Sequence, residues 1–106
     1  MANSRKLITF DLDTLEFTKH YPNKDISHLY NSIKTYLQKN GFDWVQGSGY
    51  ISVLSISFNI ANNILSALSK QQLHLQTCMR NCIVSNIGKI YDVTNTFIKN
   101  KLLNQV

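Results

Sequence analysis

Between Asp25 and Asn40 the residues Ile26, Leu29, Tyr30, Ile33 and Leu37 recur at i, i+3, i+4, i+7 and i+11, the period of an α-helix with a single apolar stripe. Asp25 is a suitable N-cap, and Gly41 follows the last turn as a stop. Lys24, Ser27, Asn31, Lys34, Gln38 and Lys39 fall mainly off the stripe, so its lysines face water or a partner. Such a helix has to lay its stripe on another element. The flanking sequence supplies a sheet.

Upstream, Leu7-Ile8-Thr9-Phe10-Asp11-Leu12-Asp13 reads as a strand whose apolar run ends in two acids. An acid carried at a strand's end is held by a rigid element, as an oriented base or metal ligand requires. Thr14 to Asn23, with mixed polarity and Tyr21-Pro22-Asn23, reads as a loop with at most a helical turn around Leu15 and Phe17. Beginning beside Asp11, it is either a substrate-contacting segment or a plain connector. Downstream, Phe42–Gln46 and Tyr50–Leu54 are short β-prone runs separated by Gly47-Ser48-Gly49, which predicts a hairpin. The spacing leaves Ser48 open between turn chemistry and a functional position.

Ile60, Ala61, Ile64, Leu65 and Leu68 set a second helical stripe within Phe58–Lys70, capped by Ser57 or Ser55. Leu73 to Met79 suggests a short helical or irregular segment. Cys82–Ile87 reads as a last strand that Gly88 ends, and the tail from Ile90 to about Leu102 places Ile90, Val93, Phe97 and Ile98 at helical spacing for docking on the domain or a partner chain. The expected fold is α+β: a ferredoxin-like βαββαβ sandwich with an additional C-terminal helix. Its first and third strands are central and its helices cover one face. The other face stays open on strands that carry Phe10, Trp44 and Tyr50, which predicts a dimer or another large partner.

At 106 residues the expectation is one domain, 1–106, with one hydrophobic core. With 43% apolar and 16% charged residues, the composition excludes a disordered chain and a disulfide scaffold. Met1 to Lys6 leads into no long apolar segment, and no run reaches membrane-spanning length, so a cytoplasmic protein without a membrane partner is expected. Eleven Lys and Arg against six acids give a net charge of +5, which permits a polyanionic partner or is simply a lysine-rich surface. Cys78 and Cys82, even with His74, fall short of a four-ligand zinc site, so free thiols are expected.

Asp13 suits a turn or cap, and Asp11, nearer the apolar run, is the better functional candidate. One carboxylate is too little to hold Mg²⁺. Dimerisation about an axis near this strand would add a second Asp11, and the two would bind a divalent ion, Mg²⁺ or Mn²⁺, or share a proton. Of His20, His28 and His74, only His20, close to Asp11 in sequence, is placed for acid–base work. There is no phosphate-binding glycine loop and no GxSxG elbow. Lys19 with Tyr21, Lys34 with Tyr36 and Lys89 with Tyr91 pair cations with aromatics, suited to phosphates and stacked bases or to an ordinary helix surface.

Phe10-Asp11-Leu12 and the string Gly41-Phe42-Asp43-Trp44-Val45-Gln46-Gly47-Ser48-Gly49-Tyr50 resemble the virulence-associated protein D (VapD) family, and the likeness runs more weakly to about Lys99. The resemblance implies a small homodimer of ferredoxin-like fold, similar to the compact CRISPR-associated endoribonucleases, that cuts RNA as a toxin checked by a cognate antitoxin. By position Asp11 matches the family's strand-end acid and Ser48 the serine of its glycine-serine turn, which makes both candidate catalytic residues. Lys19, His20 and Lys34 are the candidate RNA contacts, and Asp11 is the candidate metal ligand. The chain departs from the family in the last strand, where an acid commonly follows arginine and this chain has Arg80-Asn81. An asparagine hydrogen-bonds but does not ionise. The alternative is a non-catalytic dimeric module that binds RNA or protein.

Overall fold

The structure, a computed structural model, describes residues 3–88, 91 and 93–103. Its elements in chain order are β1 (Arg5–Leu12), α1 (Thr14–His20), α2 (Ile26–Lys39), β2 (Phe42–Gln46), β3 (Gly49–Ser52), α3 (Phe58–Gln71), α4 (Leu73–Cys78), β4 (Met79–Ile87) and α5 (Thr94–Leu103). The strands form one antiparallel sheet in the order β2-β3-β1-β4. That is the ferredoxin-like arrangement, with β1 and β3 central and a C-terminal helix added.

Alternation along β1 decides which side carries what. Lys6, Ile8, Phe10 and Leu12 are buried, whereas Thr9 and Asp11 are exposed, because successive side chains leave a strand on opposite faces. The even-numbered side packs against Leu29, Ile33 and Leu37 of α2 and Ala61 and Leu68 of α3. Phe10 lies in the middle, its ring 6.2 Å from Tyr30 and 6.1 Å from Tyr50. Phe10, Tyr50 and Trp44 therefore stand on the helix-covered side, not on the open one. The open face carries Leu7, Ile51 and Ile83 around β1, with Val45 on the edge strand, and Ile83 and Val45 are about half exposed.

The caps act as their residue types dictate. Asp25 accepts from the Ser27 N–H at 2.9 Å at the start of α2, and Ser57 accepts from Ile60 at the start of α3. Gly41, at φ +86°, turns the chain out of α2 in the left-handed region that glycine enters without strain.

Two segments depart from expectation, and a third takes only one of its two expected courses. Thr14–His20 is a helix rather than a loop: Asp13 caps it, and Phe17, 3% exposed, anchors it against Tyr21 and His74 of α4. β4 begins at Met79, three residues before the expected Cys82, because the added length pairs with the acidic end of β1. The C-terminal helix α5 does not settle on its own domain. Phe97 is 71% exposed and Val93 and Ile98 more than half, and the radius of gyration is 17.1 Å where a compact chain of this length has about 13 Å. Ile90 and Lys89 lie outside the described residues. Cys78 is buried and Cys82 exposed, and both thiols are free. Among the described residues no helix is long and apolar enough to cross a membrane.

Candidate active site at the end of the central strand

β1 brings Asp11 to the rim of the sheet on its open side, with the side chain about half exposed. Directly opposite on β4 stands Asn81. The next pair is Leu12 with Met79, so β4 carries one extra residue here, Arg80. A bulge of this kind bends the strand and re-aims a side chain. The guanidinium of Arg80 reaches back over the strand end, with Nη1 3.4 Å from Asp11 Oδ2 and Nη2 3.3 Å from Asp13 Oδ2. Asp13 also accepts from the Glu16 N–H at 2.9 Å. That backbone bond, followed by the Arg80 guanidinium, outweighs the opposing desolvation and holds its carboxyl below the usual carboxylate range. Asp13 is thus a cap, as its position past the apolar run suggested, and it also anchors Arg80.

The hairpin turn closes on the same rim. Gly47 takes φ +53°, and the Ser48 carbonyl accepts from the Phe10 N–H at 3.3 Å, one residue from Asp11. Ser48 borders both faces. On the open side it lines a cavity of about 440 Å³ with Leu7, Thr9, Val45 and Ile51. On the helix side it lines one of about 420 Å³ with Tyr30, Asn31, Lys34, Trp44 and Tyr50.

Asp11, Ser48 and Lys34 therefore gather around one end of the sheet. Lys19 and His20 do not join them: both sit on α1 and pair with Glu16, His20 Nε2 at 2.9 Å and Lys19 Nζ at 3.7 Å. The cavity that holds His28 and His74 lies between α2 and α4 and contains neither Asp11 nor Ser48. Two residues were missed in the sequence reading. Arg80 left no signal beyond its place before Asn81, because a bulge is not legible in composition or period. Trp44 lay in the glycine-serine string, but its half-exposed ring beside Lys34 follows from strand pairing and helix packing that the string does not encode.

The donor set of one chain does not fit a resident divalent ion. The space between Asp11 and Asp13 is taken by a guanidinium, and among the described residues no three His, Cys, Asp or Glu side chains converge. The arrangement can instead pair a carboxylate, which takes or orients a proton, with a cation and a hydroxyl that hold an anion.

No protein-family model matches the chain. It is 28% identical over 86 residues to an endoribonuclease VapD 2 of Riemerella anatipestifer, covering 81% of this chain and 92% of that protein. It is 30% identical over 86 residues to an endoribonuclease VapD homolog of Helicobacter pylori, covering 81% of this chain and 88% of that protein. With the strand-end acid, the glycine-serine turn and the β2-β3-β1-β4 sheet in place, the chain belongs to the VapD family.

Proposed function

We propose that this protein is an endoribonuclease that cuts a single strand of RNA at the rim formed by Asp11, Ser48 and Arg80. The observation that carries the proposal is the Asp11–Arg80 pair: a carboxylate and a guanidinium 3.4 Å apart at the end of a central strand, beside a turn that presents Ser48. The names of the VapD relatives support the same chemistry.

RNA carries its own nucleophile. The 2′-hydroxyl attacks the adjacent phosphorus and forms a 2′,3′-cyclic phosphate. The bond to the 5′-oxygen breaks, and that oxygen takes a proton from water. Asp11 receives the proton of the 2′-hydroxyl. Arg80 stabilises the charge that builds on the phosphoryl oxygens, and the Ser48 hydroxyl donates to one of them. The guanidinium is free to move from acid to phosphate, because a solvent-exposed ion pair contributes only about 0–1 kcal/mol. Lys34 holds the strand on the helix side, and Lys19 and His20 lie further along the surface.

We assign the open face to a homodimer contact. Asp11 shares that face with Leu7, Ile51 and Ile83, so pairing two copies there brings both Asp11 residues to one interface, where a shared Mg²⁺ or Mn²⁺ would find the second carboxylate that one chain lacks. The VapD likeness supports a toxin role restrained by a cognate antitoxin, for which growth arrest on expression, relieved by Asp11→Asn, is the expected sign.

Purified protein should cut a labelled single-stranded RNA and leave cyclic phosphate ends, and Asp11→Asn should lose at least a hundredfold in rate, the scale of one acid–base group. Equal rates would remove Asp11 from the mechanism. The second reading, a non-catalytic RNA- or protein-binding dimer, is favoured by Asn81, which faces Asp11 without a charge. Salt-sensitive binding with no cut ends would establish it.

A further inference from the structure

We infer that the cavity between α2 and the β2–β3 turn is a nucleobase-stacking subsite, in which the indole of Trp44 receives the base of a nucleotide neighbouring the scissile phosphate. This rests on the reading of the rim as an RNA-cutting site. It goes beyond that reading by assigning a second, separable site on the opposite face of the sheet.

Trp44 is an unusual residue to leave in the open. It stands on an edge strand with its side chain on the helix-covered side, yet remains 46% exposed. Its ring is nevertheless fixed, because Nε1–H donates to the Gly47 carbonyl at 2.8 Å across the turn. A ring held this way loses little entropy when a planar partner settles on it. Lys34 of α2 places its ammonium 4.3 Å from the indole centroid. The ammonium covers one face of the indole, so a base stacks on the other face or takes the place of the ammonium, and the cation is at hand for the phosphate of the same nucleotide.

The remaining walls fit the same guest. The cavity of about 420 Å³ is bounded by Tyr30 and Tyr50, with Asn31 and Ser48 as hydrogen-bonding groups. An amide at the edge of a stacking pocket both donates and accepts, as base edges do. Burial first, and the charge of Asp11 second, push the Tyr30 hydroxyl upward from its usual pKa. The Tyr30 ring lies 6.2 Å from that of Phe10, the residue before Asp11, so this wall of the pocket is close to the strand end. Ser48 belongs to both places, lining the pocket while its carbonyl is tied to Phe10, the residue before Asp11. A strand that crosses the rim at Ser48 would carry a base into the pocket from a phosphate at Asp11.

The chain contains one tryptophan, so its intrinsic fluorescence reports this pocket directly. The test titrates the full-length protein with a 2′-O-methyl hexaribonucleotide, which lacks the nucleophile, and with an abasic strand of equal charge. Binding is followed separately by anisotropy of an end-labelled strand. Saturable quenching by the base-bearing strand and none by the abasic one is expected. Trp44→Leu should weaken binding roughly 10- to 100-fold, the range of one base–aromatic stack, with Trp44→Phe recovering part of it and far-UV circular dichroism unchanged in both. Lys34→Met should weaken binding and reduce its salt dependence. Binding without quenching, or equal affinity of Trp44→Leu and wild type, overturns the subsite and leaves the nuclease reading standing. Quenching by a strand whose unmodified RNA is never cut supports the subsite and overturns the nuclease reading. Absence of binding to either strand overturns both.

Discussion

Arg80 shows how much at this site depends on single residues. Its guanidinium bridges Asp11 and Asp13 at 3.4 and 3.3 Å, so it offsets part of their charge, and in the proposed mechanism it turns to the phosphate. Arg80→Lys keeps the charge but loses the fork that spans two acceptors. It is expected to lower the cleavage rate at least tenfold while leaving the melting temperature within about a degree, as steady-state kinetics and calorimetry would check. Asp13 gives a pH prediction with a definite sign. The Glu16 N–H first, and the Arg80 guanidinium beside it, hold its folded pKa below the ordinary aspartate value, so its contribution to stability is present above about pH 4 and is lost as the pH falls through the depressed value. Acid denaturation of Asp13→Asn, followed by circular dichroism, should therefore have a weaker pH dependence below pH 4 than wild type. Such effects were partly foreseeable. An acid just past an apolar strand and just before a polar stretch is a natural cap, and the apolar run of β1 places Asp11 at the strand's end. The partner of both acids came from a register shift in a strand 69 residues beyond Asp11, which local sequence does not encode.

At the scale of elements, α1 is the informative case. Thr14–His20 has a weak helical pattern, but Phe17 is buried at 3% exposure and packs on Tyr21 and His74, so a tertiary anchor, with the Asp13 cap, decides what propensity leaves undecided. Phe17→Ala should destabilise the domain by about 3 kcal/mol in urea unfolding and raise hydrogen exchange first across α1. The longer helices α2 and α3 were legible because their stripes run for several turns and their ends carry caps. Gly41 makes the same point in one residue. At φ +86° with no atom within 4 Å of an added Cβ, Gly41→Ala costs only backbone strain, about 1 kcal/mol.

At the scale of the whole molecule, the open sheet face and the C-terminal helix both leave apolar side chains uncovered. The open face of the sheet carries Ile83 and Val45 at about half exposure, and α5 exposes Phe97 and Ile98. A dimer through the sheet face predicts that Ile83→Asp shifts the mass measured by light scattering from two chains to one, without unfolding. A mass unaffected by that charge would place the contact elsewhere. The sequence by itself determined the βαββαβ order of the sandwich, the cap of α2, and the strand that delivers Asp11, because period, capping and turn chemistry act over a few residues. Only the tertiary structure decided that Phe10 and Tyr50 belong to the covered core, that Arg80 bulges over the acids, and that Lys34 and Trp44 meet beside Ser48. Those facts depend on which strand edges pair and in what register, and that is settled by burying the whole core at once.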